Sequence, residues 1–368
     1  MWLVVGTRPE AIKLAPVAYA LRQRGLMPTL IFTGQHPDLD PEDYGLSSYP
    51  LIRLGCRGEE DPHRHVRAVT LALLPALSAG PDLLVVQGDT ASALGAALAG
   101  FTAGVPIAHV EAGLRTNDPL LPWPEEEYRT AIDAEADLLF APTELAARNL
   151  RAEQVPGEVH VTGNTGIDAL LAIEPALPKR RAPRALPQLL VTCHRRESWG
   201  EGLESIAAAL RQIATAAQID FVLHPNPHIA AAIGALLDGV ARITLLAPCG
   251  HRELLERMRQ ADLILSDSGG IQEEAPVLGV PLLVLREKTE RPEGIAAGNA
   301  LLVGTDARII IREAQRLLKD REALARMARP CFPYGDGRAA PRIATMIEDW
   351  LEDRRTISRR FTPVPPTA

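Results

Sequence analysis

The sequence predicts an α/β protein built from two Rossmann-like, doubly wound parallel-sheet domains that face a cleft. Three observations carry this expectation. Short continuous apolar runs recur along the chain, each closed by a turn and followed by a helical stretch, which is how strands buried on both faces of a parallel sheet read. The pattern is broken by a Pro-rich segment and then starts again. The length of 368 residues suits two domains, each with a sizeable core.

In chain order, Leu3-Val4-Val5 leads through Gly6-Thr7-Arg8-Pro9-Glu10 into a helix carrying Leu14, Val17 and Leu21. Asp82 to Val86 leads to Gly88-Asp89-Thr90 and an Ala/Leu-rich helix, and Val105 to Val110 leads to Glu111-Ala112-Gly113. Residues 174–188 hold Pro175, Pro178, Pro183 and Pro187 beside Lys179-Arg180-Arg181, the signature of an interdomain linker with a solvated basic turn. The grammar then restarts: Leu189 to Thr192 runs into Cys193-His194-Arg195-Arg196, and Asp220 to Leu223 into His224-Pro225-Asn226-Pro227. Asp262 to Leu265 leads to Ser266-Asp267-Ser268-Gly269-Gly270, and Val280 to Leu285 to Arg286-Glu287. The expected division is a first domain at 1–173, the linker at 174–188, a second domain at 189–345 and a C-terminal helix and tail at 346–368. The Pro-rich end, Phe361–Ala368, reads as frayed or surface-bound. Asp82…Gly104-Val105-Pro106 and Asp262…Gly279-Val280-Pro281 give the halves a loose internal likeness.

Composition narrows the function classes. The chain has 46 acidic and 39 basic residues, a formal charge of −7, which argues against a duplex nucleic-acid binder. Cys56, Cys193, Cys249 and Cys331 lie far apart without a C-x-x-C pair, so they read as reduced thiols rather than a zinc site or a disulfide framework. There is no signal-peptide pattern and no apolar stretch near the ~18 residues that span a bilayer; the expectation is a cytoplasmic protein without a membrane partner.

No G-x-G-x-x-G follows the first strand and no Walker A motif occurs, so an NAD enzyme is disfavoured and no cofactor or metal is expected. Ser268-Gly269-Gly270 follows a strand and opens a helix. Unhindered N–H groups at a helix N-terminus attract a diphosphate, and Glu274 one turn on suits ribose hydroxyls; the alternative is an ordinary turn capped by Ser268. Asp89 and Glu111 follow two neighbouring strands and should project from one rim, where nearby carboxylates can split into an acid and a base. Glu125-Glu126-Glu127 opens a helix behind Pro122-Trp123-Pro124, either as further acid/base groups or as complements to the helix dipole. Arg8, Lys13, Arg115, His194, His224 and Arg291 each read alone as a surface charge or a satisfied core group; together they mark loops where charge-assisted bonds to an anionic ligand would form. His36 and His109 read as packing or hydrogen-bonding histidines.

The stretches GTRPEAIKLAPV (6–17), GDT (88–90), HVEAGLRTND…PWPEEEYR (109–129), TGNTGIDAL (162–170), HRRES (194–198), SDSGGIQEEAPVLGVP (266–281), TERPE (289–293) and FPYGDG (332–337), in this order, resemble the non-hydrolysing UDP-N-acetylglucosamine 2-epimerases. The resemblance covers essentially residues 1–345. It implies a type B glycosyltransferase-like architecture, UDP held mainly by the second domain, and a final helix near 342–354 that crosses back to the first. It also implies a homodimer that needs neither NAD nor an obligatory metal and interconverts UDP-N-acetylglucosamine and UDP-N-acetylmannosamine.

By motif match the resemblance makes Asp89, Glu111 and Glu125 the catalytic carboxylates, with His194 near the diphosphate. Arg8 and Lys13 match substrate contacts of the first domain, Ser268, Gly269, Gly270 and Glu274 those to diphosphate and ribose, and Arg291 a further substrate contact. Three departures stand out. Cys193 replaces the usual glycine before the histidine motif, Leu254 stands where an aromatic often lies near uracil, and Pro37-Asp38-Leu39-Asp40-Pro41 replaces a helical segment. In some bacterial members that last region helps bind a second, activating UDP-N-acetylglucosamine. The neighbouring alternatives are a hydrolysing epimerase, a retaining UDP-sugar glycosyltransferase of the same fold, and a silent nucleotide-sugar sensor.

Overall fold

The computed structural model describes residues 1–78, 80–181, 184–193 and 200–361, with side chains described to 356. The expected frayed end after 361 and the candidate His194 lie outside these residues. The chain forms two compact units, Met1–Arg115 with Trp123–Ala169 and Gly335–Ala368, and Thr116–Pro122 with Leu170–Tyr334.

The first unit holds β1 (Trp2–Val5), α1 (Arg8–Gln23), β2 (Thr29–Phe32), β3 (Leu51–Arg53), α2 (Pro62–Leu77), β4 (Leu84–Gln87), α3 (Ala91–Ala103), β5 (Ile107–Val110), α4 (Glu125–Glu135), β6 (Leu138–Ala141), α5 (Glu144–Glu153), β7 (Glu158–Val161) and the first turn of α6 (Thr165–Ile173), whose residues from Leu170 count with the second unit. Its seven strands lie in the order β3-β2-β1-β4-β5-β6-β7, all parallel. The replaced segment after Gln35-His36 ends in a short 3-10 turn, Pro41–Tyr44, with Leu39 buried beneath it.

The second unit holds β8 (Gln188–Thr192), α7 (Glu201–Ile213), β9 (Gln218–Val222), α8 (Pro227–Leu237), β10 (Ile243–Leu246), α9 (His251–Gln260), β11 (Leu263–Ser266), α10 (Gly269–Leu278), β12 (Leu282–Val284), α11 (Glu293–Ala296), β13 (Ala300–Leu302), α12 (Ala307–Lys319) and α13 (Arg321–Met327). Six parallel strands run β10-β9-β8-β11-β12-β13. These are two parallel sheets interleaved with helices, the Rossmann-like class the strand grammar predicts. Gly104 and Gly279 end α3 and α10 in the left-handed conformation, φ 69° and 63°, at corresponding places before β5 and β12.

The last helix, α14 (Ala339–Phe361), belongs to the first unit. Asp168 accepts from Ala339 and Ala340 N–H at 3.1 and 2.8 Å, and Ile343, Ala344, Ile347 and Leu351 enter the core formed by Leu3, Leu14 and Leu21. The change of unit falls at Tyr334/Gly335. In the second unit, the Gln260 side chain holds the Pro-rich segment by its Lys179 carbonyl and Arg181 N–H, both at 3.0 Å. Among the described residues no helix is long and apolar enough to cross a membrane.

Candidate active site

Ligands of doubly wound sheets bind beyond the carboxyl ends of the strands, where the strand order reverses. In the first unit that point lies between β1 and β4, and three chain segments near it carry the candidate side chains.

After β1, Thr7 caps α1 and Glu10 completes a capping box. The Glu10 carboxylate accepts Gly6 and Thr7 N–H at 2.6 and 2.7 Å and the Thr90 hydroxyl, so one buried acid ties this turn to the turn after β4. Burial pushes Glu10 up to about 7 against those bonds. Gly6 is required by close approach, since a Cβ there would lie 2.1 Å from Ser92 Oγ. Arg8 is exposed, with its N–H 3.4 Å from His36 Nδ1.

After β4, Asp89 takes the Arg129 guanidinium, through Nε at 3.0 Å and through Nη2. Arg129 is buried on α4 and also holds Glu126 Oε2 at 2.8 Å. Glu125, the first residue of α4, is therefore adjacent in sequence to a residue that shares a cation with Asp89.

After β5, Glu111 sits at φ +74°. That conformation costs a non-glycine residue on the order of 1–3 kcal/mol, which surrounding contacts must offset. Glu111 and Ala112 N–H both donate to the Phe140 carbonyl, at 3.0 and 3.1 Å. The Glu111 carboxylate receives Lys13 Nζ and, at 3.1 Å, Gln87 Nε2. Lys13, expected as a substrate contact, is thus buried beside a candidate catalytic carboxylate.

Arg115 fits the satisfied-core alternative: its buried guanidinium lies 2.8 Å from buried Asp133 and binds the exposed Glu153 at 2.7 and 2.6 Å and the Leu114 carbonyl at 2.8 Å.

In the second unit the strand order reverses between β8 and β11. Ser268 is the N-cap of α10, and its hydroxyl makes no capping bond. A Cβ on Gly270 would meet only Ser268 Oγ, at 4.0 Å, whereas one on Gly269 would lie 2.9 Å from the Arg291 guanidinium. Arg291 is buried behind this loop, held by Glu273 at 2.6 Å and by Glu290, and Glu290 in turn binds Arg286 at 2.9 Å. Its charge is spent largely within the protein, supporting the loop from behind.

Glu274 accepts a 2.6 Å bond from His251 Nε2 at the start of α9. Burial lowers the His251 imidazole, but Glu274 outweighs it and raises the group above its ordinary value. Leu254 lies on the same helix. Cys193 is buried at the end of β8, with its thiol 3.3 Å from Asp267. His224 accepts Asn226 N–H at 2.9 Å in the turn before α8. A cavity of about 750 Å³ in this unit, lined among others by Lys179, Arg181, Arg184, Gln188 and Arg257, contains none of the candidate residues.

Sequence reasoning missed Glu10, Gln87, Arg129, His251, Glu273 and Glu290. Two signals were readable: the T-x-x-E capping box at Thr7…Glu10, and the Glu126/Arg129 spacing of three on one helix face.

The chain matches the family model described as UDP-N-acetylglucosamine 2-epimerase over residues 19–348. It is 39% identical to the UDP-N-acetylglucosamine 2-epimerase of Salmonella typhimurium, with 94% of this chain and 98% of that protein aligned. Its structure is similar to that of the Neisseria meningitidis UDP-GlcNAc 2-epimerase bound to UDP-GlcNAc, with a TM-score of 0.87, 35% identity, and 95% and 99% of the two chains covered. It is also similar to the Methanocaldococcus jannaschii enzyme in complex with UDP-GlcNAc and UDP, with a TM-score of 0.84, 31% identity, and 95% and 99% covered. With its two switch points furnished in this way and 94–95% of its length aligned to these proteins, the chain belongs to the UDP-N-acetylglucosamine 2-epimerase family.

Proposed function

We propose that the protein reversibly interconverts UDP-N-acetylglucosamine and UDP-N-acetylmannosamine at sugar C2, without net hydrolysis, by expelling UDP and adding it back. The observation that carries this reading is the first unit's rim. There Glu111, held in a left-handed conformation against Lys13 and Gln87, and Asp89, held by Arg129, follow adjacent strands.

The chemistry explains why carboxylates are needed. The C2 hydrogen is not next to a carbonyl, so direct deprotonation is very difficult. When the C1–O bond breaks first, UDP leaves with the electron pair and C1 gains cationic character. A base then takes the C2 proton, and the C–H pair becomes the C1=C2 bond of 2-acetamidoglucal. Protonation of C2 from the opposite face and attack of a β-phosphate oxygen on C1 give the epimer, with atoms and electrons balanced. In this reading Asp89, Glu111 and Glu125 share removal and return of the proton, and Arg8 and Lys13 serve the substrate. The N–H groups at Ser268, Gly269 and Gly270 take the diphosphate, backed by Arg291, and Glu274 takes the ribose hydroxyls. His194 is proposed to assist UDP departure.

We further propose a cytoplasmic homodimer serving cell-surface polysaccharide synthesis. Exposed Leu71 on α2 and Leu98 and Phe101 on α3, two packed helices, suit a second copy. The free state of all four cysteines suits a reducing compartment.

Positional isotope exchange tests the route. UDP-N-acetylglucosamine carrying 18O in the C1–O bridge should scramble the label into the non-bridging β-phosphate oxygens as it epimerises. Epimerisation with the label retained in the bridge would overturn the elimination mechanism.

A further inference from the structure

We propose that His109 is a positioning residue that ties the three carboxylate-bearing elements together by donating hydrogen bonds from both ring nitrogens. The role rests on the epimerase reading; the donor assignment stands on geometry alone. His109 lies in β5, two residues before Glu111, and is wholly buried. Its Nε2 is 2.8 Å from the carbonyl oxygen of Gly88, the residue before Asp89. Its Nδ1 is 2.6 Å from Asp133 Oδ1 on α4, the helix that begins at Glu125. One ring thus reaches the Asp89 turn, the Glu111 strand and the Glu125 helix.

Both neighbours are acceptors. A peptide carbonyl has no proton to give, and a neutral imidazole donates from one nitrogen only. Asp133 is also committed as a carboxylate: its Oδ2 accepts Gly113 N–H at 3.1 Å and lies 2.8 Å from Arg115. A neutral ring would set a lone pair against an oxygen at one of the two contacts. A doubly protonated ring satisfies both; of the charges around it, Asp133 and Arg115 are buried with it, and Glu153 on α5, which also binds Arg115, is exposed.

The first test is nuclear magnetic resonance of the full-length protein labelled with 15N in histidine. The result expected at neutral pH is a proton on both ring nitrogens of His109; a bare ring nitrogen would overturn the assignment. The second test is His109→Gln. C2 deuterium incorporation should fall ten- to a hundredfold, on the order of what small misplacement costs, with UDP affinity kept within twofold. Unchanged exchange would overturn the positioning role. If this variant does not fold, Asp133→Asn, which keeps an acceptor but loses the charge, must show the same split between exchange and UDP affinity; equal loss of both overturns the role. Absence of C2 exchange in the wild-type protein would sink the epimerase reading while the ring spectrum still decides the donor assignment.

Discussion

The two units repeat one scaffold and equip it differently. Each sheet places its first strand in the interior and reverses order beside it, and each uses a left-handed glycine to enter a later central strand. In the first unit the loops at the reversal present side-chain carboxylates matched to buried cations, Asp89 to Arg129 and Glu111 to Lys13. In the second the corresponding loop presents glycine backbone and an uncapping serine, with Arg291 and two carboxylates supporting it from behind. In the proposed function the same topology would serve proton transfer where its loops carry carboxylates, and anion recognition where they present N–H groups.

This contrast can be broken or sharpened by substitution. The largest expected effect is in the first unit: Asp89→Asn or Glu111→Gln should cut C2 exchange by about 100-fold or more and leave UDP affinity, read by calorimetry, within twofold. Loss of UDP binding would make those acids structural. Gly269→Ala should do the reverse. Its Cβ would press on an Arg291 guanidinium that Glu273 and Glu290 pin in place, so KM should rise roughly tenfold, worth ~1.4 kcal/mol, with kcat little changed.

His251→Leu, which frees Glu274, should lower the preference for UDP over its 2′-deoxy form several-fold in paired titrations. The His251 imidazole is raised in the fold, so the stability of this pair is complete below the ordinary histidine value and fades as pH climbs through the raised one. Melting curves should show the variant's deficit shrinking over that rise. The smallest effect is expected at Glu10. A carboxyl raised from 4.5 to about 7 binds more protons folded than unfolded, so stability falls as pH rises through that window. Glu10→Gln should flatten this slope in a pH series of melts, and an unaltered slope would show that Glu10 is not its source.

Much of the fold was legible because buried parallel strands write themselves as unbroken apolar runs, such as Leu84 to Val86 or Leu263 to Leu265, and because Gly104 and Gly279 punctuate them. The candidate carboxylates were legible as acids at strand ends within recognisable motifs. Their partners were not, because an ion pair closes over sequence distance: Lys13 lies 98 residues from Glu111 and Arg129 lies 40 from Asp89. The same distance left Arg115 open between a ligand contact and a satisfied core group, since nothing local announces that Asp133 and Glu153 will fold against it. The charge balance, read globally, argued against some partners; read locally, several of the acids neutralise buried arginines.

The central claim is that this chain breaks and remakes the bonds at C1 and C2 of a UDP-sugar. Incubating the protein with UDP-N-acetylglucosamine in D2O and following C2 by nuclear magnetic resonance tests it most directly. The account predicts a mixture of UDP-N-acetylglucosamine and UDP-N-acetylmannosamine, both deuterated at C2, with no net release of free sugar. Epimerisation or sugar transfer with protium retained at C2, or stoichiometric release of free N-acetylmannosamine, would contradict it.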